Sequence, residues 1–181
     1  GASVTTRVPF VGRAVPHVRA GVGAVCTQAS TVVEYGPRGL DLLAKGVEPQ
    51  AALTQLLTDD QQRESRQVGL IDIQGRSAAH TGKQNGNWAG SRQGKTYTVQ
   101  ANIMVGPEVV DAMERAWRET GAQQPLSRRL LAALKAGDDA GGDKRGRQSA
   151  ALLVVTEAGG YGGGSDVFAD LRVDDHPQPV A

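Results

Sequence analysis

The stretch Thr96-Tyr97-Thr98-Val99-Gln100-Ala101-Asn102-Ile103-Met104-Val105-Gly106-Pro107-Glu108-Val109-Val110 changes period in its middle. From Thr96 to Val105 the apolar residues alternate, placing Tyr97, Val99, Ala101, Ile103 and Val105 on one side, as a half-buried strand requires. Gly106-Pro107 then opens a helix carrying Val109, Val110, Met113, Ala116 and Trp117, and Gly121 stops it. Pro125 starts a second helix through Leu126, Leu130, Leu131 and Leu134, which reads as ending at Gly137. Strand followed by a helix pair is therefore the unit to look for on either side.

Upstream the same order recurs, without an internal sequence repeat. Val4 to Val8 and Val22 to Thr27 are β-branched runs, separated by breaks at Pro16 and Gly21. Tyr35-Gly36-Pro37-Arg38-Gly39-Leu40 starts a helix with Leu40, Leu43 and Val47 in a stripe, and Pro49 opens a partner with Ala52, Leu53, Leu56 and Leu57 on one face. Gln67 to Ile73 alternates, Ala78 to Thr81 continues extended, and Lys83 to Gly94 reads as a polar loop. Downstream, Ala150 to Val155 reads as a buried strand, and Asp166 to Val173 pairs with it across the Gly159 to Ser165 turn. Strands in blocks between helix pairs predict an α+β fold with antiparallel sheets, not alternating βαβ units. In that fold Thr96–Val105 and Ala150–Val155 are central strands, and Leu40, Leu53, Leu56, Val110, Trp117 and Leu130 face the sheets.

At 181 residues the chain makes one domain, taken here as 1–181. Twenty Lys+Arg against 19 Asp+Glu leave a net charge of +1, which removes the basic footprint of a nucleic-acid binder. No apolar run is long enough to span a membrane. The 24 glycines follow no triplet period, so they mark turns and close backbone approaches rather than collagen. Cys26 is the single cysteine, which excludes an internal disulfide and a thiolate zinc cluster and fits a reducing, cytoplasmic setting.

Several motifs dissolve on inspection. Gly90-Ser91-Arg92-Gln93-Gly94-Lys95-Thr96 has three residues between its glycines where a phosphate loop needs four, and a strand follows it, so it reads as a hairpin turn. Gly21-Val22-Gly23 lacks the third glycine of a dinucleotide fingerprint, and Gly159 to Gly164 is a flexible turn. His17, His80 and His176 have no metal-ligand spacing, and no metal or cofactor is expected. Cys26 with His80 could form a thiol–imidazole pair, although a cysteine in an apolar strand reads first as a small buried hydrophobe.

Two features carry more. The loop Gly141-Gly142-Asp143-Lys144-Arg145-Gly146-Arg147-Gln148-Ser149 sets three cations and a carboxylate among flexible backbone, suited either to an anionic ligand or to a solvated corner in which Asp143 pairs with its own neighbour. Asn102 stands mid-strand among apolar residues, as Thr81-Gly82 stands at a strand end. A buried Asn must be hydrogen-bonded, and its amide can serve either as a structural bond or as an oxyanion donor.

Those segments resemble, almost along the whole chain, the family known as domain of unknown function 1028, grouped with the N-terminal-nucleophile hydrolases. The resemblance runs through Arg19 to Val25, Tyr35 to Leu40, Arg66 to Gly69, Asn102 to Val110, Gly141 to Ala150, Gly160 to Asp166 and Leu171 to Pro177. It implies a four-layer αββα sandwich, two antiparallel sheets between helix pairs. It also implies attack on an amide by an N-terminal Thr, Ser or Cys whose own α-amine, with a pKa near 8, is the general base. Carried over by position, Asn102, Thr81 and Gly82 become oxyanion candidates, and Asp143, Arg145, Arg147 and Arg38 become substrate-binding candidates.

The chain departs from the family where the nucleophile should be. It begins inside the strand that follows, and Gly1 has no nucleophilic side chain. The expectation is a bacterial-type hydrolase of small amide (C–N) bonds that lacks its first strand, is inactive as written, and is either less stable than an extended chain or self-associates as a homo-oligomer through the exposed edge. The alternative is a non-catalytic module that binds a small molecule or anion at the Asp143–Gln148 loop. A cysteine hydrolase built on Cys26 and His80 is the third.

Overall fold

The computed structural model describes residues 1–181 and contains nine strands and four helices. Strands β1 (Ala2–Thr6), β8 (Ser149–Val155) and β9 (Val167–Val173) form a sheet in the order β1-β8-β9. Strands β2 (Pro16–Arg19), β3 (Gly23–Ala29), β4 (Arg66–Asp72) and β5 (Ser77–Thr81) form a second in chain order, and β6 (Trp88–Gly94) pairs with β7 (Tyr97–Met104). Every pairing is antiparallel. The α+β reading with helices in pairs therefore stands.

Helices α1 (Tyr35–Ala44) and α2 (Pro49–Leu57) cover one face of the four-stranded sheet. Leu40, Leu53 and Leu56 pack there against Val25, Val68, Leu70 and Ala78. Because side chains alternate across a strand, Cys26, Gln67 and Gly69 point to the opposite, inner face. Helices α3 (Glu108–Glu119) and α4 (Leu126–Asp139) pair with each other over the remaining strands: α3 over β6 and β7, α4 over β1 and β8. Val110 and Trp117 meet Tyr97, Val99 and Ala101, with Leu130 packed against that cluster.

Three expectations need correction. Trp88–Gly94 is a strand, not a loop. It lacks β-branched residues and includes two glycines, so its extended form comes from pairing with β7 rather than from local preference. β7 ends at Met104 and is not a central strand, since only β6 flanks it as a full partner. Its alternation also breaks early. Ile103 has φ 60°, left-handed for a β-branched residue, inside a register shift opposite Trp88 and Gly90. Ile103 and Val105 therefore leave the apolar face that Tyr97, Val99 and Ala101 share.

One ion pair fastens the first helix pair to its sheet. Arg66 on β4 holds Asp60 (Nε to Oδ2, 2.8 Å), and the Tyr35 hydroxyl at the start of α1 donates to the same carboxylate. The Arg66 guanidinium, helped by the Tyr35 hydroxyl and the Gln62 amide, holds Asp60 far below the usual carboxylate range although burial opposes it. Burial, reinforced by its bond to Asp60, pushes the Tyr35 phenol up to about 12. A carboxylate with a depressed folded pKa contributes stability that is complete above its unfolded value, near 4, and is lost as pH falls further. We expect Asp60→Asn to cost about 3 kcal/mol near neutral pH, as breaking a largely buried pair does. The gap from the parent should narrow in urea unfolding near pH 2–3; an equal gap at both pH values would contradict this assignment.

Candidate functional site

A cavity of about 470 Å³ lies between β1 and β7. All of β1 lines it, as do Tyr97 to Asn102 and Met104 of β7. Its floor is the inner face of the four-stranded sheet, including Cys26 and Gly69, and its roof is α3 and α4, including Met113, Trp117 and Leu130. One end is closed by the loop after α4. Val105 N–H donates to Gly142 O (3.3 Å), Lys144 N–H donates to Ile103 O (2.9 Å), and Met104 and Asp143 form a β-bridge.

Next to that closed end the interior is polar. Gln67 is 0% exposed and acts as a hub. Its amide donates to Ala101 O (2.9 Å) and Thr81 Oγ1 (3.0 Å), and its Oε1 accepts from Asn102 Nδ2 (3.1 Å). The second Asn102 amide hydrogen has no partner in the protein. The bulge at Ile103 sets Asn102 and Met104 at the cavity wall next to the Gly142–Asp143 backbone. Backbone strain of this kind, on a β-branched residue flanked by a buried polar network, points to a site held in place by its surroundings.

The sequence candidates fall into two groups. Asn102 and Asp143 line the same cavity. Arg145 does not line it, but grips Asp143 through two guanidinium bonds (Nε to Oδ1 3.0 Å, Nη2 to Oδ2 2.6 Å). Arg147 pairs with Asp138 (2.9 Å), another cavity-lining carboxylate. Thr81 and Gly82 do not reach the cavity; they line a separate open depression with Lys83, Asn85 and Arg92, and Thr81 meets Asn102 only through Gln67. Gly82 cannot be an oxyanion donor, because its N–H is bonded to Arg66 O (2.9 Å). A Cβ there would also sit 2.3 Å from Glu64 O, so the glycine serves close backbone packing. Arg38 is exposed on α1, across the four-stranded sheet from the cavity, and is not part of this site.

Cys26 and His80 do not meet. His80 is bonded to Arg63 O (2.9 Å), and its strand register places it on the helix-covered face, opposite Cys26. Cys26 is half-buried where it touches the cavity, and burial pushes its thiol up to about 11. At neutral pH that leaves about a hundredfold less thiolate than an ordinary cysteine. Iodoacetamide should therefore label Cys26 about a hundredfold more slowly in the folded protein than in urea. Equal rates would restore Cys26 as a reactive group.

Three contributors were not singled out from the sequence. Gln67 carries the network, Gln100 presents a buried Oε1 with no hydrogen-bond partner, and Asp138 has its carboxyl pushed up by burial despite Arg147. The signal for Gln67 lay in register: with Val68 and Leu70 on one face, Gln67 must face the other, and both faces are covered.

Antiparallel sheets, two helix pairs and a cavity with a polar end define a mixed α/β protein with a candidate pocket between β1 and β7. The chain belongs to the Family of unknown function (DUF1028), whose model matches residues 1–181. It is similar to the crystal structure of protein SPO2555 from Silicibacter pomeroyi, assigned to the same family. The two are 29% identical with a TM-score of 0.86, over 98% of this chain and 76% of that one. No curated protein matches the chain. No helix is long and apolar enough to cross a membrane.

Proposed function

We propose that this domain is a four-layer αββα sandwich of the N-terminal-nucleophile type and that its chemistry is hydrolysis of small amide (C–N) bonds. The observation that carries the reading is the Asn102 amide, fixed by a fully buried Gln67 at the polar end of the cavity, with one hydrogen unspent. A rigid neutral donor at a cavity wall stabilises the oxyanion of a tetrahedral intermediate at little reorganisation cost. In this reading Asp143, oriented by Arg145, positions the substrate, and the attacking hydroxyl and its base belong to a single N-terminal residue delivered to the closed end. The ion pairs also weigh against the anion-binding alternative, since Arg145 and Arg147 are each matched by a carboxylate.

In this reading amide turnover depends on one hydroxyl-bearing N-terminal residue carried on a strand ahead of residues 1–181. The test extends them with an upstream strand whose first residue is Thr and compares it with an otherwise identical Ala-first form. Amine release by the Thr-first protein alone supports the reading. Equal release by the two forms, or none from a broad panel of primary and secondary amides, would overturn it.

A further inference from the structure

We infer that two copies of this chain pair through β9, antiparallel and edge to edge about a two-fold axis at Leu171, so that their sheets join in the order β1-β8-β9-β9-β8-β1. This goes beyond the hydrolase reading and does not rest on it. The first observation is exposure. β9 is the outer strand of its sheet and is paired only with β8. α4 covers β1 and β8, and Leu171, which shares a face with Leu152, is left 63% exposed. Val167, Phe168 and Val173 are exposed as well. The charges that would normally blunt such an edge, Asp170 and Arg172, neutralise each other within the strand. An outer strand of this kind is a template for another strand.

The second observation is where the backbone groups point. Thr156 N–H donates to Asp166 O at the end of β8, so Thr156 faces β9, and by alternation Val154, Leu152 and Ala150 do too. Their partners Ala169, Leu171 and Val173 are therefore the residues bonded to β8. Asp170 and Arg172 turn their N–H and C=O to the free edge. The next alternate residue, Asp174, agrees, since its carbonyl accepts from Phe10 N–H. A bulge at Phe168, which has no partner on β8, ends the regular edge on the other side.

The third observation is charge, and it selects the occupant. A two-fold axis through a continuous sheet keeps each face with itself, so opposed residues share a face. With the axis at Leu171, each copy's Asp170 lies opposite Arg172 of the other copy. Within one copy Arg172 already holds Asp170 through two bonds (2.7 and 2.8 Å), so the four groups close into a ring of alternating sign. Moving the axis by one residue sets Asp170 against Asp170, or Arg172 against Arg172, and opposed like charges are unfavourable. Asp170 and Arg172 are also the residues with free backbone groups, so the same register lets each opposed pair exchange both backbone hydrogen bonds. On the other face Leu171 meets Leu171, and Val173 meets Ala169. The edge is complementary to itself in charge, shape and hydrogen bonding, which makes a second copy its partner.

The test is analytical ultracentrifugation of residues 1–181, with backbone amide exchange followed by NMR. The expected species has twice the 18.9 kDa mass of the chain. In it the Asp170 and Arg172 amides should exchange about tenfold more slowly than in the diluted protein, with β1 unaffected. Asp170→Arg and Arg172→Asp each set like charges across the axis, so each alone should associate about tenfold more weakly. Mixed in equal amounts, the two variants should form a dimer with one copy of each. Both changes fall on an exposed strand, and thermal unfolding checks that each variant is folded. The exchange pattern of the unaltered chain stands whether or not a variant folds. Four results would overturn the inference: a chain that stays monomeric at its highest soluble concentration, association unchanged by either single reversal, no mixed dimer from the folded variants, or slowing at β1 with none at Asp170 and Arg172.

Discussion

Replacing Gln67 with Ala is expected to lower the stability of the domain by about 3–4 kcal/mol, which for a chain of this size is about 10 °C in melting temperature. The size follows from what the side chain serves. It is fully buried and bonded to Ala101 O, Thr81 Oγ1 and the Asn102 amide. Truncation strands these partners in a place water does not freely reach, and an unsatisfied buried polar group costs about 1–3 kcal/mol. Gln67→Leu should rescue little of this loss, because shape is restored and the bonds are not. Gln100→Leu is the control with the opposite sign. Gln100 Oε1 is buried without a donor, so removing it should leave stability unchanged or raise it by about 1 kcal/mol. Thermal unfolding of the three variants decides the matter. A Gln67→Ala protein as stable as its parent would mean that the network is ornamental.

The parts of the fold legible in the sequence were those with a clear period and clear punctuation. Pro49 and Pro125 sit at the starts of α2 and α4, and the leucine stripes identified the buried faces of α1 and α2. β6 was illegible because nothing in Trp88–Gly94 favours a strand locally; its conformation is imposed by β7. The end of β7 was misjudged for the converse reason. Ile103 has a strong β preference, yet it takes a left-handed conformation where the chain bulges.

The site was legible as residue types and not as geometry. Asn102 stood out as a polar residue in an apolar strand, and Asp143 as a carboxylate among glycines. The helix face that Arg38 occupies and the backbone packing that fixes Gly82 depend on contacts between distant segments. Gln67 was hidden because only strand pairing shows that both faces of β4 are covered.

Asn102 acts on the reacting group in the proposed hydrolysis rather than merely completing a network, and turnover by Asn102→Ala tests this most directly. The measurement is kcat and KM for amide hydrolysis by the Thr-first protein before and after the substitution, with unfolding curves to show that the variant is folded. Removing one oxyanion donor costs about 10²–10³ in kcat while leaving ground-state binding nearly untouched, so a fall of that size with KM little changed is the predicted result. A folded Asn102→Ala protein that retains its parent's kcat to within about twofold would contradict the assignment and confine Asn102 to a structural role.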